Sequence, residues 1–222
     1  MEVLDAYQIR ATVALNSSVC TYYPRVIEEC KKRSWELMGH GISNSWSMTE
    51  LSADDEEAVV KESVETIKKA SGESPRGWLG PALAETPRTL NILSRNGIRY
   101  VCDWCNDDQP YPMRTDNGPL ISLPYSIEMN DITIFVQQGL TPTEFYRECK
   151  DQFDQLYTEG SRSGRVMGVA LHPFIIGQPF RIDSLKRLLR YITAKKGVWF
   201  ATGSEITDWY VRNYLKTESL HV

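Results

Sequence analysis

Three histidines occur in the chain, His40, His172 and His221, and the first two share a context. His40 closes the short extended run Glu36-Leu-Met-Gly39 and is followed by a glycine and, four residues on, by Asn44. His172 closes Val166–Leu171, a run of small and β-branched residues within VMGVALHPF. Imidazole exchanges protons near neutral pH, so either ring could act as acid or base. Open α/β sheets and α/β barrels carry their ligand sites beyond the carboxyl ends of strands, and two such histidines could therefore face one cleft. A strand-end histidine can equally be a buried side chain hydrogen-bonded to backbone.

Other residues could complete a cleft around His40, Asn44 and His172. Arg76 is a permanent cation able to hold a carboxylate or stabilise an oxyanion. Trp78, Trp104 and Tyr125 offer flat apolar walls suited to a sugar ring or a planar amide, or they are packing residues. Asp103, Asp107 and Asp108 follow a strand and could orient a histidine or activate water; as loop carboxylates they could also bond turn backbone. Gly80, in Arg76-Gly-Trp-Leu-Gly-Pro81, joins the expected substrate-binding set. Cys102-Asp-Trp-Cys105 has metal-type spacing, yet a structural zinc needs two further ligands at similar spacing, and none is evident. The run Asp54–Glu57 could bind a cation or be a solvated helix start. His221 reads as a frayed tail.

The elements that must position these residues alternate. Ile9–Leu15 reads as a strand and Pro24 to about Arg33 as a helix; the Glu36 strand follows, then a long helix over Thr49–Ala70 closed by Gly72. Arg76–Pro81 is a short strand and turn, Thr86-Pro87 opens a helix ended by Gly97, and Ile98–Cys102 is the next strand. Asp103–Gly118 is long enough to be a functional loop. Leu120–Pro124 is a strand, and Thr141-Pro-Thr-Glu144 is a capping-box start for a helix carrying Phe145, Cys149, Phe153 and Leu156. Val166–Leu171 reads as the most buried strand. A helix over Ile182–Lys196, a strand over Val198–Thr202 and a helix over Ser204–Leu215 complete the chain. Alternation of this kind implies an α/β fold with a parallel sheet, and the long loops after strands favour a (β/α) barrel.

Composition bounds the function. A chain of 222 residues with 41% hydrophobic content can bury one full core, so residues 1–222 are expected to form a single domain. A net charge of −4 gives no footprint for nucleic acid. No apolar run reaches the roughly 18 residues that span a membrane. No basic-then-apolar leader opens the sequence, and five cysteines without a framework suit a reducing compartment, so a cytoplasmic protein is expected.

An ordered series of motifs resembles the polysaccharide deacetylase family, and within it the branch containing the cofactor-independent type of allantoinase. IRATVALN, ELMGHGISNS, RGWLGP, YVCDWCNDDQPY, LPYSIEMND and GVALHPFIIGQPFR stand in the family's order from about Ile9 to Tyr210. The resemblance implies a distorted (β/α) barrel of about seven strands. It implies hydrolysis of carbon–nitrogen bonds: a metal-bound water attacks the carbonyl, an aspartate acts as base and the last-motif histidine protonates the leaving nitrogen. Carried over, His40 is the metal-type histidine, Arg76 the orienting arginine and His172 the general acid. The family's first strand, with its aspartates, is absent ahead of Ile9, and Asn44 stands where the second metal histidine is expected, so His40 alone cannot make a three-ligand zinc site.

The expected function is a deacetylase- or allantoinase-like hydrolase of a small amide, ureide or N-acylated sugar. His172, His40, Arg76 and Asp103 are its catalytic candidates; Asn44, Trp78, Gly80, Trp104 and Tyr125 would bind substrate. The cofactor is either none or a divalent metal such as zinc on His40. The alternative is a barrel that binds a carbohydrate or ureide without turnover. A homo-oligomer could cover the sheet edge that the absent strand exposes.

Overall fold

A computed structural model describes residues 1–45 and 48–215; His221 lies outside the described residues. The chain forms two compact units. One, the sheet unit, comprises residues 10–104, 110–123 and 201 onward; the other, the helical unit, comprises residues 1–9, 105–109 and 124–200.

In the sheet unit the β-branched run Thr12–Leu15 forms β1, which pairs in parallel with β2 (Glu36–Gly39) from Thr12↔Glu36 to Leu15↔Gly39. Between them lie the short α2 (Ser18–Tyr22) and α3 (Pro24–Lys32), whose first residue is the proline expected at a helix start. After β2 comes α4 (Ala53–Ser71), capped by Ser52, whose side chain accepts from Asp55 N at 3.2 Å. Its end is Gly72, in the left-handed region at φ +92°. Then follow β3 (Gly77–Trp78), α5 (Thr89–Arg95) and β4 (Tyr100–Val101). The sheet ends in a hairpin, β5 (Tyr111–Met113) and β6 (Leu120–Ser122). Its order is β1-β2-β3-β4-β6-β5, parallel except for β5, and among the described residues it is not closed by hydrogen bonds. The unit ends with α9 (Gly203–Tyr214), which opens on a Thr202/Glu205 capping box.

Two cores serve this unit. Val60, Val64, Trp78, Ile92, Leu93, Val101 and Leu120 form one; Leu15, Ile27, Cys30, Leu37 and Ile67 form the other. In the acidic start of α4, Asp54 and Asp55 are exposed, as a solvated helix start implies, but Glu56 is not. Glu56 is fully buried and accepts from Thr86 Oγ1 at 2.8 Å, from Arg88 Nη2 at 3.3 Å and from the Thr89 hydroxyl. Thr86 Oγ1 also accepts from the Arg88 N–H at 3.1 Å, the cap-type bond expected of it, while α5 itself starts three residues later.

The helical unit contains α1 (Glu2–Ala6), a six-residue π-helical stretch Ile132–Gln137, α6 (Pro142–Glu159), α7 (Pro173–Ile176) and α8 (Ile182–Thr193). The Thr141/Glu144 capping box forms as expected. Phe145, Cys149 and Phe153 of α6 pack with Leu185, Leu188 and Ile192 of α8, and with Ile134 and Phe135. Val166–Leu171 is not the buried strand expected: it is half-buried, and only Ala170 bridges, in parallel with Asn130. Val198–Thr202 likewise forms no strand among the described residues, and Tyr111–Met113, expected as loop, is β5.

Candidate functional site

The sheet unit assembles one group of polar residues at the carboxyl ends of β2, β3 and β4. His40 follows β2, and its N–H donates to Leu15 O at 3.1 Å, continuing the β1–β2 ladder by one step. Its Nδ1 bonds the Leu79 carbonyl, which can only accept, so Nδ1 carries the proton and Nε2 is the acceptor atom of the neutral ring. Asn16, just past β1, donates from Nδ2 both to His40 O at 2.5 Å and to Asn44 Oδ1 at 2.8 Å. Asn44 is thus tied to the His40 turn by an amide–amide contact. Gly80, two residues past β3, donates its N–H to Asp103 Oδ1 at 2.7 Å, and Asp103 lies two residues past β4. A Cβ on Gly80 would sit 2.9 Å from Ala84 O and 3.1 Å from Asp103 Oδ2, so no side chain fits there.

A carboxylate that sequence reasoning missed completes this group. Glu85 Oε2 accepts from Trp104 Nε1 at 3.2 Å, and Glu85 faces Asp103. Burial, and then the neighbouring Glu85 charge, push the Asp103 carboxyl well above the ordinary carboxylate range; burial also raises Glu85. The chain reaches Glu85 through two consecutive non-glycine residues in the left-handed region, Ala82 and Leu83, at φ +56° and +57°. Such a conformation persists only where the surroundings over-determine it.

The helical unit holds a second group. Asp131, fully buried, accepts from the His172 backbone N–H at 2.8 Å through Oδ2 and pairs with His172 Nδ1 at 2.6 Å through Oδ1. The parallel bridge beside it, in which Asp131 N donates to Ala170 O at 3.1 Å, holds the two chain segments in register. Nδ1 is therefore the protonated nitrogen of the neutral ring, and Nε2 is left as the atom that can exchange a proton. The His172 side chain is 31% exposed. Tyr125 OH accepts from Asn130 Nδ2 at 3.1 Å. It also lines a cleft of about 340 Å³ with Cys105, Asp107, Asp108, Glu128 and Gln152.

Two expected site residues are placed elsewhere. Arg76 precedes β3 at its amino end, away from the strand ends that carry His40 and Asp103, and forms a bidentate pair with Asp208 of α9. Asp208 is its ion-pair partner. Trp78 is completely buried, and its ring lies 2.5 Å from where a Cβ of Gly39 would be. It is a core residue fitted against a glycine, not a cleft wall. Trp104 is 40% exposed, and its Nε1 donates to Glu85. Among the described residues no three His, Cys, Asp or Glu side chains come together in a way that could hold a metal ion. His40 therefore belongs to no three-ligand set among them, the set a catalytic zinc requires. Cys102 and Cys105 remain thiols.

The polysaccharide deacetylase family model matches residues 1–101. A putative polysaccharide deacetylase of Schizosaccharomyces pombe is 31% identical over 212 residues, which are 87% of this chain and 66% of that protein. The chain belongs to the polysaccharide deacetylase family. Among solved structures, Puue allantoinase superposes with a TM-score of 0.91 at 26% identity, over 97% of this chain and 72% of that one. A probable polysaccharide deacetylase from Pseudomonas aeruginosa PAO1 gives 0.89 at 26%, over 96% and 71%. The distorted α/β barrel expected for the family is thus the fold of its relatives, here with six hydrogen-bonded strands among the described residues instead of about seven. The chain spans just under two thirds of the length of its fission-yeast relative.

Asp131 and Glu85 are the residues that sequence reasoning passed over in this family member. Asp131 closes the quoted run LPYSIEMND, and an acid ending a motif was a usable signal. Glu85 carried none.

Proposed function

We propose that this protein hydrolyses a carbon–nitrogen bond other than a peptide bond, in a small amide, ureide or N-acylated sugar. The observation that carries the reading is the His172–Asp131 pair: a half-exposed imidazole whose tautomer is set by a buried carboxylate. In such a reaction water adds to the carbonyl carbon, the carbon–nitrogen bond breaks and the departing nitrogen takes up a proton. His172 Nε2, unprotonated in the neutral ring, takes a proton from the adding water and passes it to the departing nitrogen, while Asp131 keeps Nδ1 and the ring plane fixed. The names of the relatives support both a deacetylase and an allantoinase reaction, so acetylated chitooligosaccharides and allantoin are the two substrates to try first.

The residues of the His40 group support a water- or substrate-holding role, with Nε2 as acceptor and Asn44 beside it. A divalent metal on His40 is the finer alternative. The cysteine thiols, four of them buried, suit a cytoplasmic setting, and no helix among the described residues is long and apolar enough to cross a membrane. A homo-oligomer that covers an edge of the open sheet is compatible with this reading.

The test is His172→Asn, with acetate release from a chitooligosaccharide and ureide hydrolysis of allantoin measured beside the wild type. Turnover should fall about 100- to 10,000-fold with the far-ultraviolet spectrum unchanged. Unchanged turnover would remove His172 from the mechanism. Ligand binding by the wild type without any turnover would favour a binding protein instead.

A further inference from the structure

We propose that Asp103 and Glu85 share a single proton and act as one acid pair that holds the Leu79–Gly80 peptide, and through it the His40 ring, in place. Four carboxyl oxygens are involved. Two have ordinary donors: Gly80 N–H for Asp103 Oδ1 at 2.7 Å and Trp104 Nε1–H for Glu85 Oε2 at 3.2 Å. The other two, Asp103 Oδ2 and Glu85 Oε1, are buried and meet no N–H or O–H donor among the described residues, although each carboxyl lies within hydrogen-bonding reach of the other. Ionised carboxylates only accept hydrogen bonds, so two that face each other out of water are reconciled by a proton between them. The buried Glu56, another anion, acts on Glu85 and disfavours a second negative charge there. Arg88, which pairs with Glu56, is the cation on that side.

The pair reaches His40 through one peptide group. The Leu79 carbonyl takes the His40 Nδ1 proton, and the N–H of the same peptide goes to Asp103. A peptide that accepts on one side and donates on the other is polarised by both partners, so the two bonds strengthen each other. Gly80 has no room for a side chain, and the left-handed Ala82 and Leu83 bring the chain back so that Glu85 meets Asp103. The pair is thus a positioning device. It keeps His40 with Nδ1 protonated and Nε2 as acceptor, the form able to take a proton from water or from a bound N–H. It stands apart from the hydrolase reading and would hold equally in a protein that binds without turnover.

The test uses Asp103→Asn, Glu85→Gln and the double variant of the full chain, none scored by activity. In either single variant an amide N–H replaces the shared proton: the new amide of Asp103→Asn can donate to Glu85, and that of Glu85→Gln can donate to Asp103. In the double variant, with both oxygens kept by Gly80 and Trp104, two NH₂ groups face each other. The singles should melt within about 3 °C of wild type, and the double more than about 5 °C below the sum of their shifts. Nitrogen NMR of His40 should show Nδ1 protonated and Nε2 unprotonated in wild type and singles, and a changed tautomer ratio in the double. Additive melting shifts, or a double variant more stable than either single, would overturn the shared proton. An unchanged His40 signature in a destabilised double would overturn the positioning role. Carboxyl carbon NMR of the wild type gives an independent reading: one of the two carboxyls should be protonated at neutral pH, and two ionised signals would contradict the proposal.

Discussion

Replacing Asp131 by asparagine changes one atom of a buried contact and should change which nitrogen of His172 carries the proton. Asp131 has no exposure and gives one oxygen to the His172 backbone N–H at 2.8 Å and the other to Nδ1 at 2.6 Å. Asparagine retains a single acceptor. If that oxygen stays with the backbone N–H, the amide NH₂ faces Nδ1, which must then present its lone pair and leave the proton on Nε2. Loss of a charge-assisted bond to a buried partner costs about 2 kcal/mol, which for a chain of this size lowers Tm by about 4–8 °C. The catalytic cost is larger. A histidine held in the wrong tautomer is expected to lose about 100- to 10,000-fold in turnover while substrate affinity changes little. Nitrogen NMR resolves the tautomer directly, since the chain has only three histidines to assign. An Nε2 signal that stays unprotonated in Asp131→Asn, together with turnover within about three-fold of wild type, would refute the role given to Asp131.

Other outcomes follow from the same geometry. Arg76→Ala should lower stability by no more than about 1 kcal/mol, because the Asp208 pair is 39% and 45% exposed and screened, and should leave KM and kcat within about three-fold; a large kcat loss would return Arg76 to the site. Asp103, whose folded-state pKa is raised by burial and then by Glu85, contributes stability that is complete below the ordinary carboxylate pKa and is lost as pH rises through its folded value. Asp103→Asn does not titrate, so its stability relative to wild type should increase from acid to alkaline pH in denaturant titrations, and a pH-independent difference would contradict this. Zinc incubation followed by desalting and elemental analysis should leave the same substoichiometric metal on wild type and His40→Ala. Near-stoichiometric zinc lost in the variant would show that further ligands complete a site on His40.

How far the sequence carried depends on what each residue's neighbours could reveal. The Thr141 capping box and the β-branched Thr12–Leu15 run are local signals, and both elements form as expected. Their short range is what makes them readable. The strand-end placement of His40 was readable in the same way. The partner of His172 was not, because Asp131 lies 41 residues away and joins it through a single bridge at Ala170. Val166–Leu171 has a strand's composition but, among the described residues, lacks a neighbour to pair with along its length. Arg76 and Trp78 were misplaced for a related reason. A strand of only two residues, Gly77–Trp78, has no alternation from which to tell a core face from a site face. What buries Trp78 is the missing side chain at Gly39, on the adjacent strand. Glu56 shows the same limit: composition marks it as a solvated helix start, whereas two threonines and an arginine from beyond α4 enclose it.

The most direct test of the hydrolase function is product analysis in water enriched in oxygen-18, using the wild-type protein with acetylated chitooligosaccharide and with allantoin. Hydrolysis of a carbon–nitrogen bond predicts one heavy oxygen in the new carboxyl group, in acetate beside an unlabelled amino sugar, or in the single ring-opened product of allantoin, and no such labelling with His172→Asn. Intact substrate after prolonged incubation, or heavy oxygen delivered elsewhere than to the carbonyl carbon, would contradict it.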